Sequence, residues 1–210
     1  IAGVKEFTTG AFAVDEKSVG LYGEAQVRPL DGLMLIGGLR QDFYRFAARA
    51  LEGPLSWDGT IADQALGLKF GANYEVADGL ALYANYGEGF HSNDASGVTA
   101  PTDAEPGLVE GDFQEAGFRV ERWGLIFSGV YWWSGIESEL IYVGDSGAVE
   151  PSDPSQRRGF ELTAFYKPNN WLALDAVYTG SRARFTGLPE GENFVPGALE
   201  SSGELGISVI

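Results

Sequence analysis

An all-β fold, an antiparallel up-and-down barrel whose strands cross a membrane, is predicted by three observations. Tight-turn signals recur at near-equal spacing, the runs between them alternate apolar with polar or small residues, and longer polar segments separate every second run. Composition agrees with strands rather than helices: glycine occurs 30 times in 210 residues and aromatics make up 13%. Hydrophobic residues are 44% of the chain, yet no window approaches the ~18 consecutive apolar residues of a membrane-crossing helix. The absence of cysteine suits a protein that passes an oxidising compartment without disulfides, although many cytosolic proteins also lack it.

The turns set the frame. Pro29-Leu30-Asp31-Gly32, Ala77-Asp78-Gly79, Arg122-Trp123-Gly124 and Pro168-Asn169-Asn170 each carry residues that tolerate the positive φ of a tight hairpin. From Asp31 to Asp78, Trp123 and Asn169 the intervals are 47, 45 and 46 residues. Each turn is followed by an alternating run, LMLIGGLR, LALYANYG, LIFSGVYW and WLALDAVY. Between the hairpins, residues Ala47–Ala62, His91–Gly111, Gly144–Gln156 and Phe185–Gly197 are rich in Gly, Pro, Asp, Ser and Thr and are expected to be long loops. All tight turns then lie at one end of the sheet and all long loops at the other. A four-stranded propeller blade has a similar period, so the loop asymmetry and strand chemistry have to decide.

The strands show that chemistry. In Leu66–Val76 the even positions (Leu66, Leu68, Phe70, Ala72, Tyr74, Val76) are apolar and the odd ones (Gly67, Lys69, Gly71, Asn73, Glu75) polar or small. Side chains alternate across a strand, so one face is apolar and the other fit for water. Val19–Arg28 and Gly159–Tyr166 divide the same way, whereas Ile36 and Trp132 break the polar register of their strands. In Ala81–Ala95, Leu82, Ala84 and Tyr86 share the apolar face, and the alternation stops at Gly89-Phe90-His91-Ser92-Asn93-Asp94. On the apolar faces Tyr74 and Tyr166 fall near the tight turns, and Tyr86, Tyr131, Trp133 and Tyr178 near the long loops. Rings at two levels match the girdles at the two membrane–water interfaces; good strand-forming propensity is the competing account. The whole reading predicts that Leu66, Phe70, Leu82, Phe160 and Leu162 do not gather in a compact protein centre.

A net charge of −16 argues against nucleic acid, which calls for a basic face. No Lys or Arg lies between Lys69 and Arg119, while nine Asp and Glu do. Most such runs are solvated surface; the sharper reading is a cation-binding rim, with Asp103, Glu105, Glu110 and Asp112 as oxygen ligands suited to calcium but without EF-hand spacing. His91, the only histidine, adjoins Ser92, Asn93 and Asp94. A Ser-His-Asp hydrolase is a remote alternative, because neighbours on a strand point to opposite faces. A polar cluster that organises the loop, or a ligand contact, fits better. Gly87-Glu88-Gly89 lacks the strand–helix context of a phosphate loop. Arg157, Arg158, Arg182 and Arg184 lie near strand ends, where they either join a salt-bridge network with Glu137, Glu139 and Asp175 or hold lipopolysaccharide phosphates or another anion. Trp57, in PLSWDG, either stacks on a ligand ring or anchors its own hairpin. No catalytic residue, metal site or cofactor is assigned.

About nine or ten strands are counted, the last cut off at Ile210, so the chain is expected to be a piece of a longer barrel; open edges cannot stand alone in hydrocarbon. The runs VGLYGEAQVRPLDGLMLIGGLRQDFY, LYANYGEGFHSNDA, SELIYVGDSGAVEPSDPSQRRGFELTAFYKPNNWLALDAVYTGSRARF and VPGALE resemble, in this order, the barrel of TonB-dependent outer-membrane receptors. That resemblance implies residues 1–210 to be an incomplete segment of a roughly 22-stranded barrel, with no plug domain in this chain. It implies an outer-membrane receptor that captures a siderophore, cobalamin or other large nutrient at extracellular loops and imports it with energy from TonB acting on the plug. A small passive channel or surface-binding barrel is the alternative. The partners so implied are outer-membrane lipid and lipopolysaccharide, TonB and a small-molecule nutrient. The long loops become extracellular, and His91, Asn93, Asp94, Trp57, Arg157 and Arg158 become candidate substrate contacts on the rim.

Overall fold

The computed structural model describes residues 10–138, 140–143 and 148–209. Its strands are β1 (Ala11–Leu30), β2 (Leu33–Glu52), β3 (Gly59–Ala77), β4 (Leu80–Ser92), β5 (Leu108–Arg122), β6 (Leu125–Ile136), β7 (Leu140–Val143), β8 (Ala148–Pro151), β9 (Ser155–Tyr166), β10 (Leu172–Phe185) and β11 (Ser201–Val209), with one short helix, α1 (Ala95–Val98), after β4. Nine strands form one sheet in the order β1-β2-β3-β4-β5-β6-β9-β10-β11; β7 and β8 pair separately as a small hairpin. This is the up-and-down meander of a transmembrane β-barrel, present as an incomplete segment. Glu139 and the loop residues 144–147 lie outside the described residues.

Two expectations need correcting. The segment Ala47–Ala62 is strand except for residues 53–58, and β1 and β2 each run 20 residues. At ~3.3 Å per residue such a strand spans about 65 Å, far beyond the hydrocarbon layer of ~30 Å. Polar composition there marks strand that has left the membrane, not loop. The fourth turn is also longer than a tight hairpin. Asn169 and Asn170 do not adopt positive φ; the Asn169 side chain instead accepts from the N–H groups of Trp171 (3.1 Å) and Leu172 (3.0 Å), closing an Asx turn between β9 and β10.

The first three turns follow the sequence. Trp123 (φ 53°) and Gly124 (φ 76°) join Arg122 to its partner Leu125, both central residues left-handed as the tightest hairpins require. Gly32 (φ 78°) and Gly79 (φ 72°) do so singly, with a bulge before Asp78 where the register shifts between Glu75 and Ala77. These glycines have a second duty. The carbonyls of Gly32, Gly79 and Gly124 accept from the N–H groups of Glu75 (2.9 Å), Glu121 (2.7 Å) and Lys167 (2.8 Å), each on or just after the first strand of the next hairpin. A Cβ at Gly32 or Gly124 would lie 2.8 or 2.5 Å from the carbonyl oxygen of Glu75 or Lys167, and one at Gly79 would collide with that of Glu121. Turn and lateral ladder therefore demand glycine together.

The chain divides into two compact units. Unit 1 takes 10–22, 40–67 and 90–110; unit 2 takes 23–39, 68–89 and 111–209. In unit 2 one face carries Glu24 bonded to Lys69 (2.5 Å) and Asn85 bonded to Glu115 (2.8 Å). The opposite face carries Phe70, Leu82, Tyr131, Phe160 and Leu162, all exposed, Phe70 at 55% and Phe160 at 39%. In unit 1, Leu66 is likewise 52% exposed. Leaving about half of each such side chain in water forgoes on the order of 1 kcal/mol, and soluble monomers rarely show so continuous an apolar surface. Hydrocarbon is its natural solvent. Trp132 sits on the polar face, partnered with Gly159 and stacked on Phe113 at 6.5 Å. A Cβ on Gly159 would stand 2.7 Å from the Trp132 ring; Gly129 under Phe118 and Gly180 under Phe160, also cross-strand partners, show the same 2.7 Å approach. Glycine opposite a ring lets the ring lie down across the sheet, which ties together the excess of both residue types.

Gly79→Ala is expected to cost at least about 1–2 kcal/mol from its backbone conformation alone, seen as a lower urea midpoint for the full-length protein folded in lipid vesicles. Gly23→Ala, where a Cβ meets nothing within 4 Å and φ is not positive, should leave the midpoint unchanged or raise it.

Candidate functional site

The best-packed part of unit 1 is where β4 ends. Phe46 is fully buried (0% exposed) and clusters with Ala65, Ala95, Val98 and Leu108, flanked by Tyr44 and Phe90. Tyr44 stacks on Phe46 and meets Phe90 edge-on, both at 5.7 Å between ring centres. Tyr44 and Phe46 share their strand face with Arg40 and Asp42, so this face turns apolar toward the loop end of β2. The rest of the core comes from Ala65 of β3, from α1 in the β4–β5 loop and from Leu108 at the start of β5. The loop folds down onto the strand ends instead of standing free in water.

Side-chain hydrogen bonds fasten that loop. Asp94 caps α1, its carboxylate accepting from the Ser96 N–H (2.9 Å) and from the Ser96 hydroxyl. Asn93 is 3% exposed; its amide donates to the Pro106 carbonyl (2.9 Å), and its backbone N–H to the Gly107 carbonyl (3.1 Å). Asp63 on β3 accepts from the Leu108 N–H at 3.1 Å. Thr99 donates to the Ala95 carbonyl (2.7 Å) and accepts from the Trp57 indole (3.4 Å), while Trp57 packs on Phe12 with ring centres 4.6 Å apart. Trp57 is thus tied to β1 and to the β4–β5 loop, beyond the β2–β3 hairpin that carries it. Nearby, Arg40 forks onto Asp42 with bonds of 2.6 and 2.8 Å, in a space that only a glycine at position 20 leaves open.

His91 lies exposed at the end of β4, and Ser92 follows it on the same strand. Asn93 and Asp94 direct their hydrogen bonds to loop backbone and Ser96 and so fasten the loop, while His91 and Ser92, neighbours on one strand, point to opposite faces. Among the described residues no group of three or more His, Asp or Glu is arranged to hold a metal ion. Asp103 sits in the left-handed region (φ 52°), Asp112 takes a bond from Gln114 at 3.4 Å, and Glu105 turns back onto Gly97, whose carbonyl accepts from the Glu105 N–H at 3.2 Å. Of the arginines, Arg184 is held by Glu200 (4.0 Å) and lies over the Phe194 ring (4.1 Å), and Arg158 is exposed. Asp175 belongs to the far half of β10, against Gly206, out of reach of the arginines. Sequence reasoning missed the Phe46 core and the Asp63 contact. Their signal was available: Tyr44, Phe46 and Ala48 continue the parity of Arg40 and Asp42, and Asp94-Ala95-Ser96 reads as a helix start.

Burial, reinforced by the Asp94 carboxylate, raises Glu105 above the ordinary carboxylate value of 4.5. The folded loop therefore keeps the Glu105 proton to higher pH than the unfolded chain does. Its contribution is complete below about pH 4.5 and declines as pH climbs through the raised folded value. Hydrogen exchange of residues 93–107, corrected for intrinsic rates, should show protection falling over that window. Glu105→Gln should abolish this dependence and hold the acid-side protection at neutral pH.

The sheet and its loops have known counterparts. The family model described as TonB dependent receptor-like, beta-barrel matches residues 5–207. No curated protein matches the chain. The ferric yersiniabactin uptake receptor FyuA from Yersinia pestis superposes with a TM-score of 0.78 at 18% identity, over 96% of this chain and 32% of that one. The ferric-catecholate import receptor Fiu from E. coli gives 0.76 at 15% identity, over 94% and 32%. The copper transporter OprC gives 0.77 at 16% identity, over 92% and 32%. At these identities the likeness is one of fold, and the chain spans about a third of the length of each structure. With its meander, its two-faced strands and a match along nearly the whole sequence, the chain belongs to the TonB-dependent receptor-like β-barrel family.

Proposed function

We propose that residues 1–210 are part of the barrel of an outer-membrane receptor that captures a large nutrient at its extracellular loops and imports it with energy delivered by TonB through a plug domain outside this chain. The role is binding and transport, without covalent chemistry. The observation that carries the reading is the strand itself: one face apolar and exposed, the other lined by Glu24, Lys69, Asn85 and Glu115, in a chain of this family. Such a sheet separates hydrocarbon from a hydrated lumen.

A ferric siderophore is the leading substrate class. Two of the three structures above are named for ferric complexes and the third for copper, which supports a metal-loaded cargo. On the rim, His91 and Asp94 are exposed and available to such a ligand, whereas Asn93 holds the loop that carries them. A loop fastened to a buried core presents its outer side chains with little ordering left to do, which favours affinity.

Deleting the gene should abolish growth on one ferric siderophore as sole iron source, and the full-length gene should restore it only in a strain with intact TonB. Uptake of every ferric chelate, cobalamin and oligosaccharide at wild-type rates in the deletion strain would overturn the reading. His91→Ala in the full-length receptor is expected to raise the half-saturating substrate concentration by about tenfold, the weight of one good polar contact, with surface expression unchanged.

A further inference from the structure

Three adjacent strands of unit 2 build an ordered column on the apolar face. Their register sets Gly129, Leu162 and Tyr178 in one row, Tyr131, Phe160 and Gly180 in the next, and Trp133, Arg158 and Arg182 in the third. Successive rows are about 7 Å apart along the strands. Toward the long loops, this face thus passes from two rows of aliphatic and aromatic side chains to a row that pairs Trp133 with two guanidinium groups. A shallow depression runs across it, bordered by Tyr131, Arg158, Phe160, Tyr178, Arg182 and Glu200.

The two arginines are direct cross-strand partners and both are exposed. Like charges opposite each other across a ladder repel, and among the described residues no carboxylate lies within ion-pair distance of either. Glu200, at the edge of the depression, pairs with Arg184. In a chain of net charge −16, carboxylates are plentiful, yet among the described residues none pairs with these two cations. An anion from outside the chain resolves the repulsion. Two guanidinium forks side by side suit the several oxygens of a phosphate.

We propose that Arg158 and Arg182 clamp the phosphate of a membrane-lipid headgroup, whose acyl chains descend over Phe160, Tyr131 and Leu162. The apolar rows directly beneath the arginines favour a lipid over a free anion, because a soluble phosphate has no use for them. The inference rests on the reading of this chain as part of an outer-membrane barrel, with the long loops outside.

The test uses the detergent-purified full-length receptor and hexa-acyl lipid A carrying two phosphates as the probe, binding being read as bound-lipid mass by native mass spectrometry. Arg158→Gln/Arg182→Gln should weaken retention at least about tenfold, and dephosphorylated lipid A should bind both forms equally poorly. Arg158→Lys/Arg182→Lys keeps the charge without the fork and should fall between them; it also serves if the glutamine pair folds badly, as judged by heat-modifiable mobility in gels. Unchanged retention in folded variants would overturn the clamp, as would displacement of the lipid by inorganic phosphate at equal concentration, which would mark a free-anion site. A separate arm places Trp at position 160 (Phe160→Trp) in vesicles of brominated lipid. Lack of quenching there would sink the membrane reading itself, whereas quenching with indifference to lipid A would sink the clamp alone.

Discussion

Everything in this structure depends on one constraint: the backbone polar groups of each strand must be satisfied inside the sheet, because hydrocarbon offers them no partner. The in-register ladders that join β5, β6, β9, β10 and β11 meet that demand residue by residue. Once the ladder is set, the face of every side chain is set too, since a slip of one residue would exchange the apolar and polar faces wholesale. The turn glycines extend the same ladder sideways, each lending its carbonyl to the next hairpin. Nothing else could occupy those positions without losing either the left-handed turn or the lateral bond.

A barrel wall has no deep interior in which to pack, so lateral packing takes over. Phe118, Trp132 and Phe160 lie across the glycines of the neighbouring strand, filling shallow space that a soluble sandwich would fill from a second sheet. The polar face carries ion pairs such as Glu24–Lys69, more than a third exposed on both sides, where solvent screening leaves each worth little. They fit the lumen to water more than they stabilise it. Unit 1 behaves differently, since there the β4–β5 loop brings Val98 down onto Phe46, beside Leu108 at the start of β5, and creates a true buried core.

That core changes how the loop residues are to be understood. A polar, glycine-rich stretch looks like a mobile tether, and its carboxylates look like free ligands. Here Asp94 and Asp63 are committed to backbone N–H groups, and Glu105 is pressed against Gly97. The acidic run therefore shapes the loop first, and His91 and Asp94 stay exposed at its rim. The arginines separate in the same way: Arg184 is tied to its own loop, while Arg158 and Arg182 stand together on the outward face.

The fold class, the hairpin period, three of the four turns and the face assignment of Leu66–Val76 and Gly159–Tyr166 were legible in the sequence. They are local properties: a dyad repeat and left-handed turn residues depend only on neighbours along the chain. The strand extensions through Ala47–Ala62 and the Asx turn at Asn169 were not, because polar residues suit an emergent strand and a loop equally well. Ile36 and Trp132 broke the pattern for a reason invisible in one strand, namely that Ile36 lies near Gly71 and Trp132 over Gly159 on adjoining strands. The burial of Phe46 and Asn93, and the side-by-side placing of Arg158 with Arg182, were decided only by tertiary structure. Alternation tells which face a residue takes, but the residue it meets across the ladder depends on register, and register joins positions far apart in the chain.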